Sequence, residues 1–266
     1  MLTNFHTHSV FCDGNNTPEE IILAAIERGF SAIGISAHGN TPYDLRYCMT
    51  DTEGYIECVS ALKEKYRGKI QIYLGLEEDA FAPQDRNRFD YIIGSSHYFL
   101  VEGNFYPIDS SPEYFVRGLE AYHNDKLKLA ECYYEKFCAY IKHRRPDIIG
   151  HFDLVTKFDE SREMLYLNDP EYKKIAESAV LEAAKYGCLF EVNTGAMIRG
   201  LRTRPYPSAD LLHVLKKQDA RLILSSDSHD IGTLDGYFEE SKRYLRDIGF
   251  DCLYTLYNNE IVKYSI

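Results

Sequence analysis

The 266-residue sequence contains no run of 18 apolar residues, and no charged, apolar leader ending in small residues opens it. The first absence excludes a membrane-spanning helix and the second a secretory signal, so a cytoplasmic protein without a membrane partner is expected. Its seven cysteines (12, 48, 58, 132, 138, 188 and 252) are odd in number and include no C-x-x-C pair. That argues against both a disulfide framework and a thiolate zinc site. Basic charge is also short: 30 Lys and Arg stand against 41 Asp and Glu, and no Lys/Arg-rich run relieves the formal net charge of −11. Such a balance repels a nucleic-acid backbone, whereas a small phosphorylated metabolite needs only a local positive site. Internal repeats and low-complexity tracts are missing too. What remains is an ordinary globular composition, 45% hydrophobic and 27% charged, at a length usual for one barrel of alternating strands and helices. One domain over residues 1–266 is therefore expected.

The stretch Asn4-Phe5-His6-Thr7-His8 carries the first positive signal. On a strand over residues 2–7, His6 and His8 project from one face and can meet one metal ion. Nine His in the chain give roughly 0.3 His-x-His pairs by chance from composition alone, so the pair decides little by itself. Recurrence decides more. Glu77, His97, His151 and the pair Asp227 and His229 each close a later strand-like run.

Taken in order, Asp13-Gly14 lies in a loop, and Thr17-Pro18-Glu19-Glu20 announces a helix, with Thr17 as N-cap and Glu20 completing a capping box. Residues 31–38 alternate, with Ile33, Ile35 and Ala37 outward and Ala32, Gly34, Ser36 and His38 inward. A helix over 52–66 precedes a third strand over 69–78, where Glu77 is in phase with the inward Gln71, Tyr73 and Gly75. Residues 90–97 repeat the pattern with Ile93, Ser95 and His97. A connection over 98–124, rich in Tyr, Phe and Pro, is long enough to cover a site. Further strands are predicted over 147–151, 188–193 and 221–226, and further helices over 127–144, 169–186, 208–217 and 237–248. A hairpin turning at Asn258-Asn259 ends the pattern. Seven strands alternating with helices imply a parallel sheet with right-handed crossovers, and only a closed barrel brings ligands from nearly every strand end around one point.

The candidate metal ligands are His6, His8, Asp13, His38, Glu77, His97, His151, Asp227 and His229. Nine exceed what one ion can use, so two to three ions are expected, and imidazole with carboxylate suits Zn, Mn or Fe better than Mg. His123, His143 and His213 fall in a loop, a helix end and a helix flank and are read as non-ligands. Glu191 is either a ligand or a supporting partner. Asn193 points inward at a strand end, and Arg199 and Arg202 follow it, together with Arg204, in the loop 194–208; Asn193, Arg199 and Arg202 are the expected contacts to a substrate phosphate.

In this order, His6-x-His8, Asp13, His38, Glu77, Gly94-Ser-Ser-His97, Gly150-His151-x-Asp153 and Ser226-Asp-Ser-His229 resemble the motifs of the polymerase-and-histidinol-phosphatase (PHP) superfamily, and within it the stand-alone histidinol-phosphate phosphatases. The resemblance covers essentially the whole chain. It implies a distorted seven-stranded (β/α)7 barrel with a trinuclear metal site at the C-terminal ends of the strands. His6, His8, Glu77 and Asp227 would hold one ion, Glu77 would bridge to a second held by His97 and His151, and Asp13, His38 and His229 would hold the third. The implied activity is hydrolysis of L-histidinol phosphate to L-histidinol and phosphate, a step of histidine biosynthesis, with Glu77, Asp227 and His229 as the residues nearest the chemistry. Two other readings compete. A PHP-type nuclease or nucleotide phosphodiesterase would call for a basic groove, and a non-catalytic metal-binding domain would have lost some of the ligands.

Overall fold

The computed structural model describes residues 1–162 and 166–266. Seven parallel strands lie side by side in chain order: Thr3–Asn4, Ala32–Ile35, Gln71–Asp79, Tyr91–Ser95, Ile148–Ile149, Leu189–Asn193 and Leu222–Ser225. A parallel bridge between Thr7 and Ser228 joins the first strand's path to the last, so the sheet curls into a nearly closed barrel. Asn4 holds that seam. Its amide donates to Ser226 Oγ at 2.6 Å and to the Leu234 carbonyl at 3.0 Å, while its Oδ1 accepts from the His6 N–H at 3.0 Å. The last of these bonds replaces a ladder bond, which is why the strand expected over 2–7 is reduced to two residues.

From the second strand onward the period-2 pattern sorts the two faces as expected, whereas Phe5, next to His6, also joins the interior. Phe5, Ala32, Tyr73, Tyr91, Ile93 and Ile223 fill the barrel interior, whereas Ile33, Ile35, Ile72 and Leu74 meet the helices Pro18–Glu27 and Thr52–Lys65 outside. Tyr91 explains two glycines. Its hydroxyl donates to the Phe5 carbonyl at 2.6 Å, and its ring crosses the space where a Cβ on Gly34 or Gly75 would stand. Thr17 caps the first helix as predicted, accepting from Glu20 N at 3.3 Å while Glu20 returns a bond to the Thr17 N–H.

Helices Lys126–Arg144, Pro170–Ala184, Ala209–Lys217 and Phe238–Ile248 continue the outer layer. The alternation fails once: between the third and fourth strands only the 3₁₀ turn Arg86–Arg88 intervenes. The hairpin Cys252–Tyr257 and Glu260–Ser265 turns at Asn258 and Asn259, both at positive φ. It plugs the N-terminal end, with Thr255 Oγ1 2.7 Å from Thr3 Oγ1. No described helix is long and apolar enough to cross a membrane.

The connection over 98–124 has more structure than its composition announced. Tyr98–Val101 and Asn104–Pro107 pair as an antiparallel hairpin, and Ser111 caps the helix Pro112–Ala121 by accepting from Tyr114 N. The loop 194–208 is also ordered, by the short helix Gly195–Ile198 and by paired backbone bonds between Asn193 and Tyr206, each 3.0 Å.

Candidate metal centre

At the C-terminal mouth of the barrel the nine expected ligand residues converge, contributed by the ends of six of the seven strands and the loop carrying Asp13. Glu77 is at the middle, 1% exposed. Its Oε2 lies 3.1 Å from His6 Nε2, 3.5 Å from His8 Nε2 and 2.9 Å from His38 Nδ1. Its Oε1 lies 3.0 Å from His151 Nε2 and 3.2 Å from His97 Nε2, and accepts from Ser95 Oγ at 2.8 Å. One carboxylate thus addresses two groups of nitrogens. Asp227 completes the first group, its Oδ1 being 3.2 Å from His8 Nε2 and 3.7 Å from His6 Nε2. A third group forms around Asp13, whose oxygens lie 3.6 Å from His38 Nε2 and 3.4 Å from His229 Nε2.

The donor set fits divalent cations. His6 Nε2, His8 Nε2 and Glu77 Oε2 are buried and find no hydrogen-bond partner among the described residues, a costly condition unless a cation satisfies them. The opposite ring nitrogens are held as in metal-ligating histidines. Glu191 Oε1 is 2.6 Å from His6 Nδ1, Asp79 Oδ2 is 3.3 Å from His97 Nδ1, and the Asp227 carbonyl is 3.0 Å from His229 Nδ1. Glu191 thus spends Oε1 on the far nitrogen of His6, and its Oε2 accepts from His151 N at 2.9 Å.

The electrostatics follow from this crowding. Burial, with His229 and His38 nearby, pushes the His8 pKa down to about 3. Burial acts in the same sense on His6, but Glu191, Glu77 and Asp227 outweigh it and hold the ring well above the ordinary imidazole value. His97 is raised likewise against burial, by Glu77 and Asp79. Burial opposes the charge on Glu77 and Asp227, yet the surrounding histidines, with Arg199 for Asp227, keep both well below the usual carboxylate range. Asp227 sits at φ 51°, the left-handed conformation that Asp tolerates better than most residues and that is found where a site dictates the backbone.

Seven of these nine residues, all but His6 and His8, line a cavity of about 580 Å³. Arg199 lines it, with Nη2 3.0 Å from Asp227 Oδ2. Gly195 makes room for that pair, since an added Cβ would lie 2.7 Å from Arg199 Nη2 and 2.8 Å from Asp227 Oδ2. Two expected substrate contacts are not there. Arg202 is 5% exposed, donates to Thr156 Oγ1 at 2.7 Å and lies 4.2 Å over the Tyr206 ring, behind the cavity wall. Asn193 is fully buried, giving Nδ2 to Glu191 and taking Gly195 N on Oδ1. Both belong to the scaffold because the loop folds back on the strand end instead of continuing outward. Arg204 lies over Tyr244, outside the cavity.

Lys157 lines the cavity instead, its Nζ donating to the Asp109 carbonyl at 2.9 Å and to Asp109 Oδ2 at 3.1 Å. Burial disfavours the charge on Asp109, and Lys157 with His97 and His151 more than offsets it, lowering its pKa to about 2. Lys157 follows His151 by six residues, so extending the strand-end rule into the next loop would have found it. Asp109 lies in the 98–124 connection, where no sequence pattern marks it. His123, His143 and His213 are exposed and stand in none of the groups of described residues that could hold an ion.

The PHP domain profile matches residues 4–195. A probable histidinol-phosphatase of Schizosaccharomyces pombe is 29% identical over 95% of this chain and 89% of its own. A second probable histidinol-phosphatase, from Deinococcus radiodurans, is 28% identical over 93% and 94%. Histidinol phosphate phosphatase of Lactococcus lactis, solved in complex with Zn, L-histidinol and phosphate, superposes with a TM-score of 0.72 at 20% identity, covering 98% of each chain. With the profile spanning most of the barrel and the fold shared end to end, the chain belongs to the PHP domain family.

Proposed function

We propose that this protein hydrolyses L-histidinol phosphate to L-histidinol and inorganic phosphate, using two to three divalent transition-metal ions, Zn, Mn or Fe. The observation that carries the reading is Glu77, whose two oxygens face separate groups of histidine nitrogens beneath a cavity whose lining includes Arg199 and Lys157. The names of the relatives supply the substrate.

In this reading His6, His8, Glu77 and Asp227 hold one ion, Glu77 with His97 and His151 a second, and Asp13, His38 and His229 a third. Bound there, the ions would supply Lewis acidity and lower the pKa of water towards about 7. The chain's own residues do the rest. Arg199 and Lys157 line the cavity, and each keeps N–H donors beyond those spent on Asp227 and Asp109. A phosphate dianion needs such charge-assisted donors, and here they also orient the ester. Asp227 positions Arg199, and Glu77, Asp227 and His229 stand nearest the reacting phosphorus.

The test is phosphate release by metal-loaded protein from L-histidinol phosphate, several other phosphomonoesters and one phosphodiester. Turnover of L-histidinol phosphate well above the other monoesters is expected, with the diester untouched. Preference for the diester would overturn the reading.

A further inference from the structure

Beyond the metal centre the cavity continues past Asp44, Arg46, Tyr98 and Pro107 into a second cavity of about 380 Å³ lined by Tyr43, Phe105 and Tyr114. Asp44 stands in the wall between them, with its side chain 8% exposed. Its Oδ2 accepts from Tyr98 Oη at 2.9 Å and from Arg46 Nη2 at 2.6 Å, and its Oδ1 accepts from Arg46 Nε at 2.8 Å. Asp44 lines the same cavity as His38, Glu77, His97 and His151.

The other carboxylates of the cavity are committed. Asp13, Glu77 and Asp227 face histidines, Asp109 is held by the buried Lys157, and Asp230 caps the turn Ile231–Thr233 through Gly232 N. Asp44 differs in its counter-ion. Arg46 is only two residues along the chain, its side chain is 59% exposed, and apart from Asp44 it touches Tyr114, whose hydroxyl it reaches at 3.2 Å and whose ring lies 5.3 Å away. Such a guanidinium can swing into solvent without any backbone movement once a second cation takes its two bonds to Asp44. A carboxylate buried in a wall still needs a cation. Around it the rings of Tyr43, Tyr47, Tyr98 and Phe105 stack or meet edge to face, surfaces that favour a planar or cationic group.

We propose that Asp44 binds the cationic end of the phosphomonoester substrate, which takes the place of Arg46. The proposal rests on the function given above and names the residue that separates a cationic ester from a neutral one. Arg46 is the resting occupant of the subsite, and the phosphate end stays at the metal centre.

Two variants test it against two esters, L-histidinol phosphate and phenyl phosphate, which carries no cation. Asp44→Asn keeps an acceptor for Tyr98 and removes the charge. It should raise KM for L-histidinol phosphate about tenfold or more relative to its effect on phenyl phosphate, the scale of a lost charged hydrogen bond, with kcat moving much less. Arg46→Ala removes the competitor and should lower KM for L-histidinol phosphate. Equal effects of Asp44→Asn on both esters, or a rise in KM for L-histidinol phosphate in Arg46→Ala, would overturn the exchange. Arg46 is a surface side chain, so its variant decides even where Asp44→Asn folds poorly. Wild-type protein inactive on L-histidinol phosphate would instead remove the functional reading itself, a result separate from either variant's.

Discussion

Glu191 and His6 meet at 2.6 Å inside the barrel, carboxylate to Nδ1, and this contact fixes which imidazole nitrogen is turned to Glu77 and Asp227. Glu191→Gln keeps the shape and removes the charge behind the ring. Metal affinity should fall about 10- to 100-fold, the usual cost of losing such a support. Titration of metal-free wild type and variant with Zn²⁺ under a competing chelator is the measurement, and equal affinities would make Glu191 a bystander.

Glu77 faces two groups of nitrogens, one with each of its oxygens. Protein purified without chelator should contain two to three transition-metal ions per chain, and Glu77→Gln should lose more of them than any single His→Ala variant. Elemental analysis decides. A wild-type content below one ion that does not rise with added Mn²⁺ or Zn²⁺ would remove the assignment.

Arg199 and Arg202 are three residues apart and should behave oppositely. Arg199→Ala should lower kcat/KM by about one to two decades, matching a lost charged hydrogen bond of about 1.5–3 kcal/mol, with metal content unchanged. Arg202→Ala withdraws a buried cation from Thr156 and Tyr206 and should cost about 1–3 kcal/mol of stability. Kinetics and urea unfolding on both variants separate the two. Equal kinetic losses with no change in stability would return Arg202 to the cavity.

Metal uptake should release protons. In the metal-free protein the His6 and His97 pKa values are raised above the ordinary 6.5, so both rings carry a proton near neutrality that an incoming ion must displace. His8, pushed down to about 3, has none to give. The sign is therefore an apparent affinity that rises with pH from below 6.5 through neutrality. Calorimetry of Zn²⁺ binding near pH 7, in buffers of different ionisation enthalpy, reads the released protons directly. Identical heats in all buffers would contradict the assignment.

The positions of the strands along the chain, the inward phase of Glu77 and His97 and the Thr17 cap were determined by the sequence alone, because each depends on contacts within a few residues. Side chains alternate along a strand whatever surrounds it, so a ligand at a strand end declares its face. Closure of the barrel was legible only through the recurrence of those ligands. The substrate side was decided by tertiary structure. Arg202 shares the loop of Arg199, yet the backbone pairing of Asn193 with Tyr206 folds that loop back so that Arg202 is buried against Thr156 and Tyr206 while Arg199 meets Asp227. Lys157, Asp109 and Asp44 come from three separate connections, and no periodicity ties a loop residue to a direction. Their meeting around one cavity depends on long-range packing of a hairpin and two loops against the barrel mouth, which local pattern does not encode.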